Sequence, residues 1–220
     1  MTESLGNFSG ICLGTCNFYI GRIAMINSIY SRRSIRRYKP DEVPEKIIME
    51  IIKAGTLAPS AKNRQPWKFV AVTGDSKADM LKAMEKGLER EKEKPLLPDS
   101  TNNFSDAENT FKIMQQAPLI IFIINRFGSC IDKTLTPEER VYEICNAQSI
   151  GAAIENMSLV ADDLGLGSLW ICNTYFAYYE LCEWLQTDKS LFAALAAGYA
   201  DESPQPRPRL KINDIFERRI

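Results

Sequence analysis

Pro118-Leu119-Ile120-Ile121-Phe122-Ile123-Ile124 sets six consecutive β-prone apolar residues behind a proline. A run with no polar position has no face suited to water, so it reads as a buried central strand. Working outward, Trp67 to Val72 contains Phe69, Val70, Ala71 and Val72 and closes at Gly74-Asp75, which reads as a second strand. Ser168 to Cys172 and Leu191 to Gly198 read as two more, the latter despite its alanines.

Helical periods lie between these strands. Met25, Ile26, Ile29 and Tyr30 open the first. Asp41 is expected to cap the second, with Pro44 early in it and Val43, Ile47, Ile48, Ile51 and Ile52 as its apolar stripe. That helix ends near Thr56, because Pro59 forbids its continuation. Residues 76–93 and about 106–116 form two more helices, and Lys94 to Asp106 a loop that could cover a site. Thr136-Pro137-Glu138-Glu139 is a helix start with a cap, a proline at the first position and acids in the first turn. The helix it opens runs to about Leu164, where Gly165 and Gly167 end it, and Gly151-Ala152-Ala153 in its middle would let another backbone come close. Tyr178 to Leu185 is a short helix, and Pro204, Pro206 and Pro208 make the tail extended. The order predicts an α+β layered domain over residues 25–220, although the alternation alone would also admit a doubly wound sheet. Residues 1–24, rich in Gly, Ser, Asn and Cys with little periodicity, read as an appended arm.

Composition narrows the chemistry. The chain has 220 residues, 45% of them hydrophobic, and no histidine, which removes Ser-His-Asp and Cys-His catalysis and imidazole metal ligation. The hard chemistry is therefore expected from a cofactor. A net charge of −1 gives no whole-molecule attraction to nucleic acid or anionic membrane. Six cysteines form no Cys-x-x-Cys pair; Cys145, Cys172 and Cys182 read as buried thiols in a reducing compartment. No apolar stretch reaches spanning length and no secretory leader is recognisable, so a cytoplasmic protein without a metal site is expected.

Donor-rich clusters remain to be explained. Ser31-Arg32-Arg33-Ser34-Ile35-Arg36-Arg37-Tyr38 packs four arginines and two serines into eight residues. Pro59-Ser60-Ala61-Lys62-Asn63-Arg64-Gln65-Pro66-Trp67 follows, with amide side chains held between prolines, and the tail supplies Arg207-Pro208-Arg209. A guanidinium is a flat, permanently charged fork that bonds two phosphate oxygens at once. A phosphorylated planar ligand suits such donors. Two other readings stay open: basic residues answering the dipole of a helix C-terminus, and a nucleic-acid-binding arm.

These clusters, with Gly151-Ala152-Ala153-Ile154-Glu155-Asn156-Met157 and Gly165-Leu166-Gly167-Ser168, resemble in content and order the flavin-dependent nitroreductase family over roughly residues 28–216. The resemblance implies an α+β fold with a central mixed, mainly antiparallel sheet flanked by helices, and an intertwined homodimer with FMN in two interface clefts. By motif position, Arg32, Arg207 and Arg209 would hold the phosphate, and Arg33 and Ser34 would line the phosphate and ring region. Arg36 would approach the N1–O2 side of the ring, and Asn63, with Gln65 beside it, its pyrimidine edge. Ser60 and Ala61 would lie near the flavin of either subunit, and Trp170 and Ile171 would pass the ring with backbone groups. No catalytic side chain is implied; the flavin N5 takes the hydride. Glu155 and Ser149 depart from the family's usual glutamine and aspartate and are expected to affect packing or the dimer contact.

The implied activity is transfer of a hydride from NAD(P)H to FMN and then of electrons to a nitroaromatic, a quinone or a similar small acceptor in ping-pong fashion. The alternatives are a dehalogenase or enoate-type reductase of the same fold, or a non-catalytic flavin-binding module. Neither nucleic acid nor membrane is an expected partner.

Overall fold

The computed structural model describes residues 27–96 and 104–220. The readings of residues 1–24 as an arm, and of residues 97–103 as part of a covering loop, fall outside the described residues. Strands β1 (Trp67–Val72), β2 (Leu119–Asn125), β3 (Gly167–Ile171) and β4 (Ser190–Gly198) form one sheet in the order β1-β2-β4-β3. All three pairings are antiparallel, which decides against a doubly wound sheet; the parallel component is the isolated bridge between Ser34 and Ser168.

The apolar run at β2 explains the layering. Leu119, Ile121 and Ile123 face α2 (Glu45–Thr56) and α5 (Pro137–Asp163), meeting Ile48, Ile51, Ile150, Ile154 and Met157. Ile120, Phe122 and Ile124 face α3 (Ser76–Glu93), α4 (Phe104–Gln116) and α6 (Tyr178–Trp184), meeting Met80, Met84, Met114 and Leu181. All six β2 side chains are buried, each contributing roughly 1.5–3 kcal/mol by leaving water. Two helical layers thus sandwich the sheet. The alanines of β4 are buried as well. Opposite β2 the register shifts between Ile123, which pairs Ala193, and Ile124, which pairs Leu191. Phe192 is the extra residue of this bulge and, like Ala193, packs with the α2 and α5 layer.

Local signals are realised unequally. Thr136 and Glu139 exchange both capping-box bonds, Glu139 N to Thr136 Oγ1 at 3.2 Å and Thr136 N to Glu139 Oε2 at 2.9 Å. Asp41 does not cap α2: the helix begins at Glu45, and the Pro44 carbonyl accepts from Ile47 N and Ile48 N. Pro44 disfavours helical backbone at the preceding Val43, so the helix cannot start further upstream and Asp41 lies outside it. Among the described residues Gly151 meets the Trp170 ring, its added Cβ lying 3.4 Å from Cη2. The tail is extended but contains one helical turn, α7 (Ile212–Ile215). Among the described residues no helix is long and apolar enough to cross a membrane.

Gly198 lies against Pro118 and Tyr38, and a Cβ there would stand 2.5 Å from Pro118 Cδ. A proline ring between a helix and a central strand cannot rotate away. Gly198→Ala should destabilise the protein by about 1–3 kcal/mol, read as a lower midpoint in denaturant unfolding. Thr136→Ala should cost about 1 kcal/mol by the same measurement, through loss of the cap.

Candidate functional site

The first arginine cluster begins where α1 (Asn27–Ser31) stops. Arg33 Nη1 turns back and donates to the carbonyls of Tyr30, Ser31 and Arg32 at 2.7, 3.0 and 2.9 Å, so this one residue does answer a helix terminus. Ser31 Oγ donates to Asp162 on α5, which fixes the end of α1.

The chain then docks on the ends of β3 and β4. Ser34 bridges Ser168, Ile35 N donates to Ser168 O, Tyr38 bridges Ala200, and Lys39 N donates to Tyr199 O. Ile35 and Tyr38 turn inward and are buried, while Arg32, Arg33, Ser34 and Arg36 stay half-exposed. Backbone contact this close requires Gly167, where an added Cβ would lie 2.6 Å from Ile35 Cγ1. Tyr38 OH donates to Ile35 O at 2.7 Å. Burial pushes its phenol well above the ordinary tyrosine range, Glu202 adds to the rise and Arg36 opposes it, so the hydroxyl stays a neutral donor.

Glu202 ties the tail to this segment. Its Oε1 accepts from Arg36 N and Arg37 N, and its Oε2 stands 3.4 Å from Arg37 Nε. Asp201 N also donates to Arg37 O. Beyond this clamp, the proline-rich tail carries Arg207 and Arg209 back over α1. The result is a cleft of about 480 Å³ lined by Arg32, Arg33, Ser34, Arg36, Arg207 and Arg209, with Ile29, Tyr30, Pro204, Gln205 and Pro206. Five guanidiniums separated by some 170 residues of sequence share one cavity with no carboxylate among the described residues that line it. This donor set suits a phosphate.

The second cluster stands apart from that cleft. Ser60, Ala61, Asn63 and Gln65 are not among its lining residues. They form a tight turn in which Lys62, Asn63 and Gln65 all take left-handed backbone, with φ of 53°, 52° and 48°. Ser60 Oγ accepts from Gln65 N at 3.0 Å, and Gln65 Nε2 donates to Asn63 Oδ1 at 3.2 Å. Ser149 secures the turn from α5, accepting from Ala61 N at 3.3 Å and donating to Cys145 O at 2.8 Å. Arg64 stacks between Phe127 and Tyr142, 4.8 and 4.9 Å from their ring centroids. On β3, Trp170 is partly exposed and Ile171 is buried in the core; neither lines the arginine cleft, though their neighbour Ser168 pairs with Ser34.

Two residues in this arrangement went unassigned or were given a different role in the sequence. Glu202 carries no motif; its only signal is proximity to the tail arginines. Glu155, a departure from the family's usual glutamine, places its carboxylate 3.8 Å from Arg32 Nε.

Comparison with known proteins agrees with the fold. The chain is 25% identical over 192 residues, 86% of its length and 90% of the partner's, to the Bacillus subtilis protein YfhC, which carries a provisional NAD(P)H nitroreductase name. A BluB-like flavoprotein from Clostridium difficile superimposes with a TM-score of 0.71 at 25% identity, covering 88% of this chain and 98% of the other. A Desulfovibrio desulfuricans protein solved with FMN, provisionally classed as a nitroreductase, gives a TM-score of 0.62 at 25% identity over 89% of this chain and 96% of that one. The sequence model of the Nitroreductase family matches residues 29–199, from α1 through the end of the sheet, and the chain is a member of that family.

Proposed function

We propose that the protein is an FMN-dependent oxidoreductase that takes a hydride from NAD(P)H and delivers electrons to a nitroaromatic, a quinone or a similar small acceptor. The observation that carries this is the convergence of five guanidiniums on one cleft of about 480 Å³ with no carboxylate among the described residues that line it. The FMN-bound Desulfovibrio relative and the name of YfhC support the cofactor and the electron donor. When bound, the flavin supplies the redox chemistry at its N5, which a chain without histidine does not have to provide.

The chain's own part is binding and electrostatics. Arg32, Arg207 and Arg209 hold the phosphate as charge-assisted donors. Ser34 adds a hydroxyl beside them. Arg36, fixed through its backbone by Glu202, sets a positive charge toward the N1–O2 side of the ring, where negative charge accumulates on reduction. Arg33 shapes the cleft by holding the end of α1.

An intertwined homodimer completes the site. The Ser60, Ala61, Asn63 and Gln65 turn lies off the arginine cleft of its own chain, and in this reading its amides reach the flavin of the partner, as do backbone groups near Trp170 and Ile171. Exposed apolar residues support the association: Val141, Tyr142 and Ile144 on α5, and Leu210, Ile212, Ile215 and Phe216 on the tail. The assembly should sediment at about twice the 24.9 kDa chain mass.

Purified protein should show a flavin spectrum that bleaches anaerobically with NADH or NADPH and recovers on addition of nitrofurazone. A colourless protein that stays so after incubation with FMN and desalting would overturn the proposal. A coloured protein that neither nucleotide bleaches would be a flavin-binding module. Arg209→Ala should raise the FMN Kd by at least about tenfold, whereas Arg140→Ala, at an exposed pair with Glu143, should leave it unchanged. Arg36→Ala should lower the two-electron midpoint potential by roughly 30 mV, measured by dye equilibration.

A further inference from the structure

α5 presents two carboxylates to the junction between α1 and the arginine run. Glu155 and Asp162 are seven residues apart, two helical turns, and so share a face. Asp162 accepts from the Ser31 hydroxyl, a neutral group. Glu155 Oε1 lies 3.8 Å from Nε of Arg32, a guanidinium of the cleft. Among the described residues this is the one ion pair made by a cleft arginine: Arg33 spends Nη1 on backbone carbonyls and Arg36 donates to Ser34 O.

The pair has the character of a competitor. It is long, it engages a single nitrogen and leaves the outer fork of Arg32 unclaimed by it, and the Glu155 side chain is 47% exposed against 24% for Arg32. A bridge of this kind adds little to stability. Its charge still acts on the cleft, because a phosphate bound to Arg32 would sit within a few ångströms of a carboxylate of its own sign, well inside a Debye length of about 8 Å.

We propose that Glu155 sets the affinity of the cleft: it offsets the charge of Arg32 when the cleft is empty and repels the incoming phosphate, so that the phosphorylated cofactor is held loosely enough to exchange. This rests on the FMN reading given above and concerns only its phosphate end.

The test is equilibrium titration of the full-length protein, stripped of flavin, with FMN and with riboflavin, followed by fluorescence quenching. Inorganic pyrophosphate is run in parallel as a probe of thermal stability. Glu155→Gln keeps the length and shape of the side chain, removes its charge and exchanges one acceptor oxygen for an NH2 donor. It should lower the FMN Kd about three- to tenfold, leave riboflavin unchanged, and enlarge the rise in Tm that pyrophosphate produces. The difference between the two proteins should shrink in 1 M salt. Glu155→Lys should tighten FMN further and serves if Glu155→Gln folds poorly. An FMN Kd that is unchanged or raised in the variants, or riboflavin tightening in step with FMN, would overturn the proposal and make Glu155 an orienting or structural group. If the parent protein binds neither FMN nor pyrophosphate, the phosphate cleft itself is wrong and both readings fall together.

Discussion

Gly167 and Gly198 face each other across the β3–β4 pair, and the absence of a side chain at both positions lets a fifth length of backbone lie along the end of the sheet. Ile35 fills the space beside one and Tyr38 the space beside the other. Without that close approach, the bridges from Ser34 to Ser168 and from Tyr38 to Ala200 could not form, and the arginines between them would hang from a free loop. The two glycines do the sorting: the space beside each takes in a branched aliphatic at Ile35 and a phenol at Tyr38, while Arg36 and Arg37 between them stay toward solvent. Glu202 clamps the tail to the same segment, so the cleft inherits its geometry from the rigid sheet.

The helices and strands were largely legible because their signals are local. The apolar run Leu119–Ile124 could serve only as a strand covered on both sides, and Thr136 with Glu139 carries a complete start signal in four residues. Reading failed where boundaries depend on neighbours. Asp41 is a good capping residue in isolation, yet Pro44 sets the start of α2. The turn in the tail at Ile212–Ile215 carries no strong cap or stripe. At the site, arginine content and order pointed to the cleft, but Glu155 and Glu202 are single acids far from the residues they touch. No spacing rule connects positions 32 and 155, or 36 and 202; only the packing of α5 and the return of the tail does.

A chain without histidine has few side chains suited to move protons near neutrality. What it offers is fixed charge and fixed donors, whose value depends on being held still. The two donor clusters are immobilised in different ways. The arginine run is stapled to a sheet, and the Ser60–Gln65 turn is tied to α5 through Ser149 and closed on itself through Ser60. Held donors of this kind fit a protein that supplies a binding frame and leaves the reaction to its cofactor.

The left-handed backbone at Lys62, Asn63 and Gln65 has a consequence for how that turn can recognise anything. Conformations that L-residues rarely adopt are maintained only because the surroundings over-determine them, and folding has already met their energetic cost. The amides there cannot remodel to suit a guest. If they meet the cofactor as proposed above, they would discriminate by rigid complementarity of outline, with little freedom left to surrender on contact.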